Sequence, residues 1–171
     1  NGFVVDGFMN EAAKAAGRDP LEFRLDTQIA RLGKDNTVED NPRLRAVMEM
    51  AAEKASWGKA LPEGHAHGIS ACESFGSFCA QVAEVSIEKG KPRVHKVTCV
   101  IDCGQTINPL TIEAQMESGI VYGLSAALYG NIQFENGGVV EGNFDRYQVL
   151  RMNEMPQVNT TIVASSEPHG G

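Results

Sequence analysis

The sequence predicts an α+β fold, with N-terminal helices followed by mostly antiparallel β hairpins packed around one long helix. Three observations carry this. Apolar residues recur at helical spacing as far as residue 58, the period changes to two from Gly68, and a helical stripe returns between residues 111 and 129. The 171 residues suffice for one good core and a smaller second lobe, divided into a helical part over 1–58 and an α+β part over 59–171. Hydrophobic residues make up 42%, and the 18 glycines bring the apolar share to about half, as in ordinary globular proteins.

Residues 3–16 place Phe3, Gly7, Phe8, Ala12 and Ala15 on one helical stripe, with Gly17 as the stop. Asp19 and Pro20 then supply an N-cap and a first-turn proline. Leu21, Leu25 and Ile29 form the stripe of a second helix that Gly33 is expected to end. "KDNTVEDNP" reads as a polar linker. Asn41 and Pro42 open a third helix, whose stripe is Leu44, Val47, Met48 and Ala51 and whose stop is Gly58.

"KALPEGHAHG" reads as a loop. "GISACESFGSF" and "CAQVAEVSIEKG" read as strands, the second setting Cys79, Gln81, Ala83, Val85 and Ile87 against a more polar face. The lone glycine of "FGSF" suggests a bulge or a close approach. "EKGKP" turns the chain into the hairpin partner "RVHKVTCVIDCG". Asn108 and Pro109 begin the long helix, a hairpin follows around Asn136-Gly137-Gly138, and "QVNTTIVAS" is a last strand.

The net charge of −7, without any basic block, argues against nucleic-acid or anionic-membrane partners. No apolar run is long enough to span a bilayer, and no basic stretch leads into an apolar run at Asn1 as in a signal peptide. A chain that opens without Met and closes on "EPHGG" is expected to be a segment of a longer polypeptide.

Chemistry-bearing candidates are few. Cys99 and Cys103 have a zinc-like spacing, but on an extended strand their sulfurs lie roughly 13 Å apart. The four cysteines therefore read as small buried hydrophobes, with no metal site assigned. His65 and His67 read as solvated loop residues, and His95 and His169 have no recognisable partner. Glu84 and Asp102 fall on half-buried strands and read as structural carboxylates, paired with Arg93 or Lys96 across the hairpin. No nucleophile elbow and no phosphate-binding glycine loop occurs.

The 111–129 helix is the most informative stretch. Ile112, Met116, Ile120, Leu124 and Leu128 make a continuous apolar stripe, while Gly119 and Gly123 remove side chains four residues apart. Such glycines serve close approach, each at a cost of roughly 1 kcal/mol against Ala. Gln115 stands one turn before Gly119, and its carboxamide offers both a donor and an acceptor. The residues alone favour tight packing there and leave ligand contact open.

"VIDCGQTINPLTIEAQMESGIVYGLSAALYG" followed by "NFDRYQVLRMNEMPQV" resembles the large subunit of the molybdenum hydroxylases, the xanthine dehydrogenase and aldehyde oxidoreductase family, in its two-subunit bacterial isoquinoline 1-oxidoreductase branch. The resemblance extends to "FMNEAAKAAGRDPLEFRL", "NPRLRAVMEMAAEKASWG" and "GISACESFGSFCAQVAEVSI", and so to almost the whole chain.

It implies a piece of the molybdenum-cofactor-binding region of a longer catalytic subunit. The cofactor would be molybdenum–molybdopterin in its cytosine dinucleotide form. The partner would be a small [2Fe-2S] subunit, and the substrate an N-heterocycle or an aldehyde hydroxylated with water as oxygen source. The glutamine of the family's Q-x-E-G-[GA] signature matches Gln115, with Gly119 beside it as the second cofactor-binding candidate; Ser118 stands where the family usually has glycine. Glu167 matches the family's E-P-x-G-G run, not its catalytic glutamate, which is expected beyond Gly171. No residue of this chain is therefore read as catalytic, and the piece alone is expected to be inert. The alternative reading is a free-standing, non-catalytic α+β interaction module.

Overall fold

The computed structural model describes residues 2–27, 29–32 and 38–170. The fold is α+β, built on a sheet of four strands with helices on both faces. Its elements are α1 (Gly2–Ala15), α2 (Pro20–Thr27), β1 (Ala30–Leu32), β2 (Val38–Asp40), α3 (Pro42–Ala55), β3 (His65–Ser74), β4 (Ser77–Glu88), β5 (Lys91–Asp102), α4 (Pro109–Tyr129), β6 (Phe134–Glu135), β7 (Gly138–Val139) and β8 (Gln157–Ile162).

α1 ends as expected. Gly17 takes a φ of +63°, the Gly17 N–H donates to Lys14 O (3.1 Å) and the Arg18 N–H to Ala13 O (3.0 Å). Its buried face is not the expected one. Phe3 and Phe8 are 87% and 67% exposed, while Asp6 and Ala13 are buried. An ion pair decides the rotation: Arg24 Nη1 of α2 donates to Asp6 Oδ1 at 2.6 Å, and the same oxygen accepts the Ala71 N–H from the rim of β3 at 3.3 Å. Turning the phenylalanines inward would strand a buried guanidinium without its carboxylate.

α2 starts where the cap predicts, Asp19 Oδ1 accepting the Leu21 and Glu22 N–H groups at 2.8 and 3.1 Å. It stops at Thr27, well short of the expected end, and Gly33 lies outside the described residues. Ile29 is buried in the core, but its carbonyl accepts the Asn41 N–H at 3.0 Å. Residues 30–32 pair antiparallel with residues 38–40, the latter inside the stretch read as a linker. Strand pairing thus claims backbone groups that a longer helix would need.

α3 follows its sequence signals closely. Asn41 Oδ1 accepts the Leu44 N–H at 3.2 Å, Leu44, Val47, Met48 and Ala51 are buried, and Ser56 and Gly58 end it at positive φ.

Strand order is β3-β4-β5-β8. The first three strands form an antiparallel meander, and β8 runs parallel to β5. Phe75-Gly76 and Lys89-Gly90 make the two tight turns, all four residues having positive φ. The glycine of "FGSF" is therefore a hairpin corner and not a bulge, which falls instead between Glu84 and Val85. β3 begins at His65, so the expected loop histidines sit on a strand.

Both faces of the sheet are covered, which the reading of β4 as half polar did not foresee. Phe78, Ala80, Val82 and Val100 pack with Ile69 and Ala71 against Val47, Met48 and Ala51 of α3. On the opposite face Val94, Val97 and Cys99 pack against Ile120 of α4, flanked by Met116 and Leu124. The hairpins thus pack on α4 through one face of the meander, which lies between α3 and α4. The β6–β7 hairpin turns at Asn136-Gly137, as the sequence predicts.

Candidate functional site

α4 is fixed at both ends. Asn108 Oδ1 accepts the Thr111 N–H at 3.4 Å, and Pro109 occupies the first turn. Towards its C-terminus Ser125 Oγ donates to Val121 O (2.8 Å) and accepts the Leu150 N–H (3.0 Å), while the Tyr129 hydroxyl donates to Glu154. That contact holds the Tyr129 hydroxyl up and the Glu154 carboxyl down from their ordinary pKa values. Ile120 is sealed onto the sheet, but the helix before it is not.

Between that half of α4 and the sheet lies a cavity of about 680 Å³. Ile112, Gln115, Met116 and Gly119 form its helical wall, and Cys79, Gln81 and Ile101 its floor. At the mouth, the segment ending at Gly170 is stitched to the end of β5: the Gln105 N–H donates to Glu167 O and the Gly170 N–H to Cys103 O, both at 2.9 Å. Two glycines permit this contact. A Cβ at Gly104 (φ +75°) would strike the Pro168 carbonyl, and one at Gly170 would strike the Ser77 hydroxyl. A second cavity of about 460 Å³, between α1 and the sheet, shares Cys72, Cys79 and Gln81 with the first.

Gln115 and Gly119 therefore line one wall of one cavity. The expected tight packing at the helical glycines is not found: a Cβ at Gly119 or Gly123 would meet no atom within 4 Å. Nothing in the described chain uses the space those glycines leave.

The other candidates have mostly structural partners, though not the expected ones. Asp102 is gripped by Arg43 of α3, Nε and Nη2 donating to its two oxygens at 2.7 Å each. This bond above all, helped by the Gly104 N–H, holds the Asp102 carboxyl below the usual carboxylate range. Arg43 also lies over the Phe78 ring at 4.4 Å. Glu84 Oε1 meets His65 Nδ1 at 2.7 Å, and the His65 ring stacks on His95 at 4.3 Å. His95 Nε2 meets Ser86 Oγ at 2.8 Å, and His67 stacks on Trp57 at 5.8 Å. His169 reaches the cavity lining, whereas the Glu167 side chain is exposed and does not line it.

Among the described residues no group of three or more His, Cys, Asp or Glu side chains is arranged to hold a metal ion. Nor is any helix among them long and apolar enough to cross a membrane. Sequence reasoning missed Gln81, Gln105 and Cys72 as lining residues. The alternation of β4 does put Gln81 on the face of Cys79, but only strand pairing brings either beneath α4.

The fold thus leaves an open sheet face under a helix with bare glycines, lined by carboxamides, cysteines and the apolar side chains of Ile101, Ile107, Ile112 and Met116. Residues 8–156 match the model of the molybdopterin cofactor-binding domain, and the chain belongs to that family. It is 31% identical over 174 residues to the isoquinoline 1-oxidoreductase subunit beta of Brevundimonas diminuta, covering 99% of this chain and 21% of that protein. It is 28% identical to the membrane-bound aldehyde dehydrogenase [pyrroloquinoline-quinone] of Gluconacetobacter polyoxogenes, covering 95% of this chain and 22% of that one. The chain thus spans about a fifth of the length of these relatives. The crystal structure of the Cu,Mo-CO dehydrogenase in its carbon monoxide reduced state shares the fold over 55% of this chain and 12% of that one, with a TM-score of 0.50 at 24% identity.

The lining residues fit part of the family's cofactor. Gln105 and Gln115 each present a donor and an acceptor, the Gln81 carbonyl adds an acceptor and the Asn108 amide a donor, and bare Gly119 leaves room for a ring system. No Lys or Arg lines the cavity among the described residues, so the walls suit a heterocycle and not a phosphate group.

Proposed function

We propose that this chain forms one wall and the floor of the molybdopterin site in a longer oxidoreductase subunit. The parent enzyme hydroxylates an N-heterocycle or an aldehyde with water as the oxygen source. The observation that carries this reading is the shared position of Gln115 and Gly119 on the open cavity, with no described residue filling the space above Gly119. The names of the relatives, an isoquinoline oxidoreductase and an aldehyde dehydrogenase, support the two substrate classes.

In this reading Gln115 reads the hydrogen-bonding edge of the pterin. Gly119 lets the ring lie close to the helix, and Gln81 bounds the ring from the sheet side. When bound, the cofactor supplies two-electron oxidation chemistry at molybdenum. The phosphates of its cytosine dinucleotide form would be held by other residues of the subunit, since among the described residues no Lys or Arg lines the cavity. Among the described residues no Asp or Glu side chain lines it either, so in this reading the general base also comes from elsewhere in the longer subunit. Electrons leave through a small [2Fe-2S] partner subunit. The chain by itself is inactive.

The test is Gln115→Ala in the full-length subunit, followed by molybdenum analysis and fluorescence of the oxidised pterin. Cofactor affinity should fall roughly tenfold, about 1.4 kcal/mol, while stability stays within about 0.5 kcal/mol because the side chain is exposed. An unchanged cofactor load in a normally folded variant would remove Gln115 from the site.

A further inference from the structure

All four cysteines are free thiols, and strand pairing gathers three of them on one sheet face, Cys72 opposite Cys79 and Cys99 diagonal to it; of these, Cys79 and Cys99 bring their sulfurs into contact. Cys79 of β4 is opposite Ile101 of β5, and Cys99 is opposite Gln81, so the two thiols are diagonal neighbours on the α4 face. Their sulfurs are 3.7 Å apart. Gln81 Nε2 sits 3.8 Å from each sulfur, a neutral amide donor shared between them.

We propose that Cys79 and Cys99 form a two-coordinate thiolate site for a soft monovalent d10 cation, cuprous ion being the physiological example. Diagonal positions on antiparallel strands set Cα atoms about 7–8 Å apart. A disulfide needs about 4.4–6.8 Å. The backbone spacing therefore disfavours a direct S–S bond, while the side chains turn both sulfurs towards one point between the strands. A soft ion bridging two thiolates needs only a small rotation of each side chain to open the gap.

Thiolate sulfur selects such ions over the oxygen-seeking divalent ones, and among the described residues no group of three or more His, Cys, Asp or Glu is arranged to hold a metal, which disfavours four-coordinate zinc. Binding releases the two thiol protons to solvent, with no change in oxidation state at sulfur or metal. The Gln81 amide then donates to both thiolates and offsets their desolvation.

Access is through Cys79, which lines both cavities, whereas Cys99 is fully buried. The site lies beneath the wall carrying Gln115 but uses neither Gln115 nor Gly119.

The reduced protein is titrated anaerobically with Cu(I) against a chromophoric cuprous chelator. The result expected is one tightly bound equivalent with an ultraviolet thiolate-to-copper band and two sulfur neighbours by X-ray absorption. That equivalent is lost in both Cys79→Ser and Cys99→Ser, and retained in Cys72→Ser and Cys103→Ser. Gln81→Leu should weaken it several-fold without abolishing it.

A reading that needs no variant is alkylation of the native protein, where bound Cu(I) should block modification of the peptide carrying Cys79. Full binding in Cys79→Ser, dependence on Cys72 or Cys103 instead, or alkylation of Cys79 unaffected by Cu(I) would each overturn the proposal. Cys79 and Gln81 also floor the molybdopterin cavity, so copper binding is read on cofactor-free protein; Gln115→Ala alters neither thiol, which keeps failure here distinguishable from failure at Gln115.

Discussion

The two faces of the meander differ in how completely they are closed. On the α3 face, Val47, Met48, Ala51, Ala80 and Val100 are inaccessible to solvent or nearly so. Arg43 and Asp102 seal its end. On the α4 face only the stretch around Ile120 is sealed, and the sheet then runs out from under the helix into the cavity floored by Cys79 and Gln81. One sheet thus has one face closed along its length and one that is closed only around Ile120, leaving the rest to the proposed ligand surface. A substitution should register in unfolding or in binding according to which face it is on.

The largest effect is expected from Met48→Ala, which empties a wholly buried position on the closed face. It should destabilise by about 2–5 kcal/mol in a urea titration. A loss under 1 kcal/mol would mean that the closed face is less tightly packed than described.

Asp102→Asn comes next, at roughly 1–3 kcal/mol at neutral pH, because it weakens a charge-assisted pair. The effect has a definite pH sign. The folded Asp102 carboxyl is held low by Arg43, so its contribution is fully present above the unfolded carboxyl value of about 3.9 and lost as pH falls through the lower folded one. The gap between wild type and variant should therefore shrink on acidification below about pH 4. A gap that widened in acid would contradict the pairing.

The smallest change, and the one that sharpens the contrast most, is Gly119→Ala. The added methyl meets nothing in the described chain, so the helix should gain up to about 1 kcal/mol. Cofactor retention in the full-length subunit should fall in the same variant. A variant both more stable and fully loaded would show that the space above Gly119 is not used.

Signals that act within a turn or between adjacent strands were legible in the sequence. Asn41-Pro42 and Asn108-Pro109 open their helices where read, and Asn136-Gly137 turns its hairpin. Signals that depend on a distant partner were not. The rotation of α1 is set by Arg24, eighteen residues after Asp6, and Asp102 is claimed by Arg43, fifty-nine residues before it, so neither is visible to local periodicity. Ile29 keeps its apolar role but not its helix, because burial is encoded by the side chain and pairing by a neighbouring segment. That Gln115 and Gly119 stand on one helix face could be read from the sequence, but the cavity floor opposite them could not: Gln81 reaches it only through the register of β4 with β5.

The strand order also sets a timetable. β3, β4 and β5 follow one another through two-residue turns, whereas β8 joins β5 only after the chain has passed through α4 and the hairpin beyond it. Short loops close early and long ones late. During refolding, the amides of β4 and β5 should gain protection from hydrogen exchange before the Val163 amide, which bonds Ile101 O at the end of the late strand. Simultaneous protection in a pulse-labelling experiment would exclude that order. The floor of the cavity is thus in place before the helical wall is locked over it.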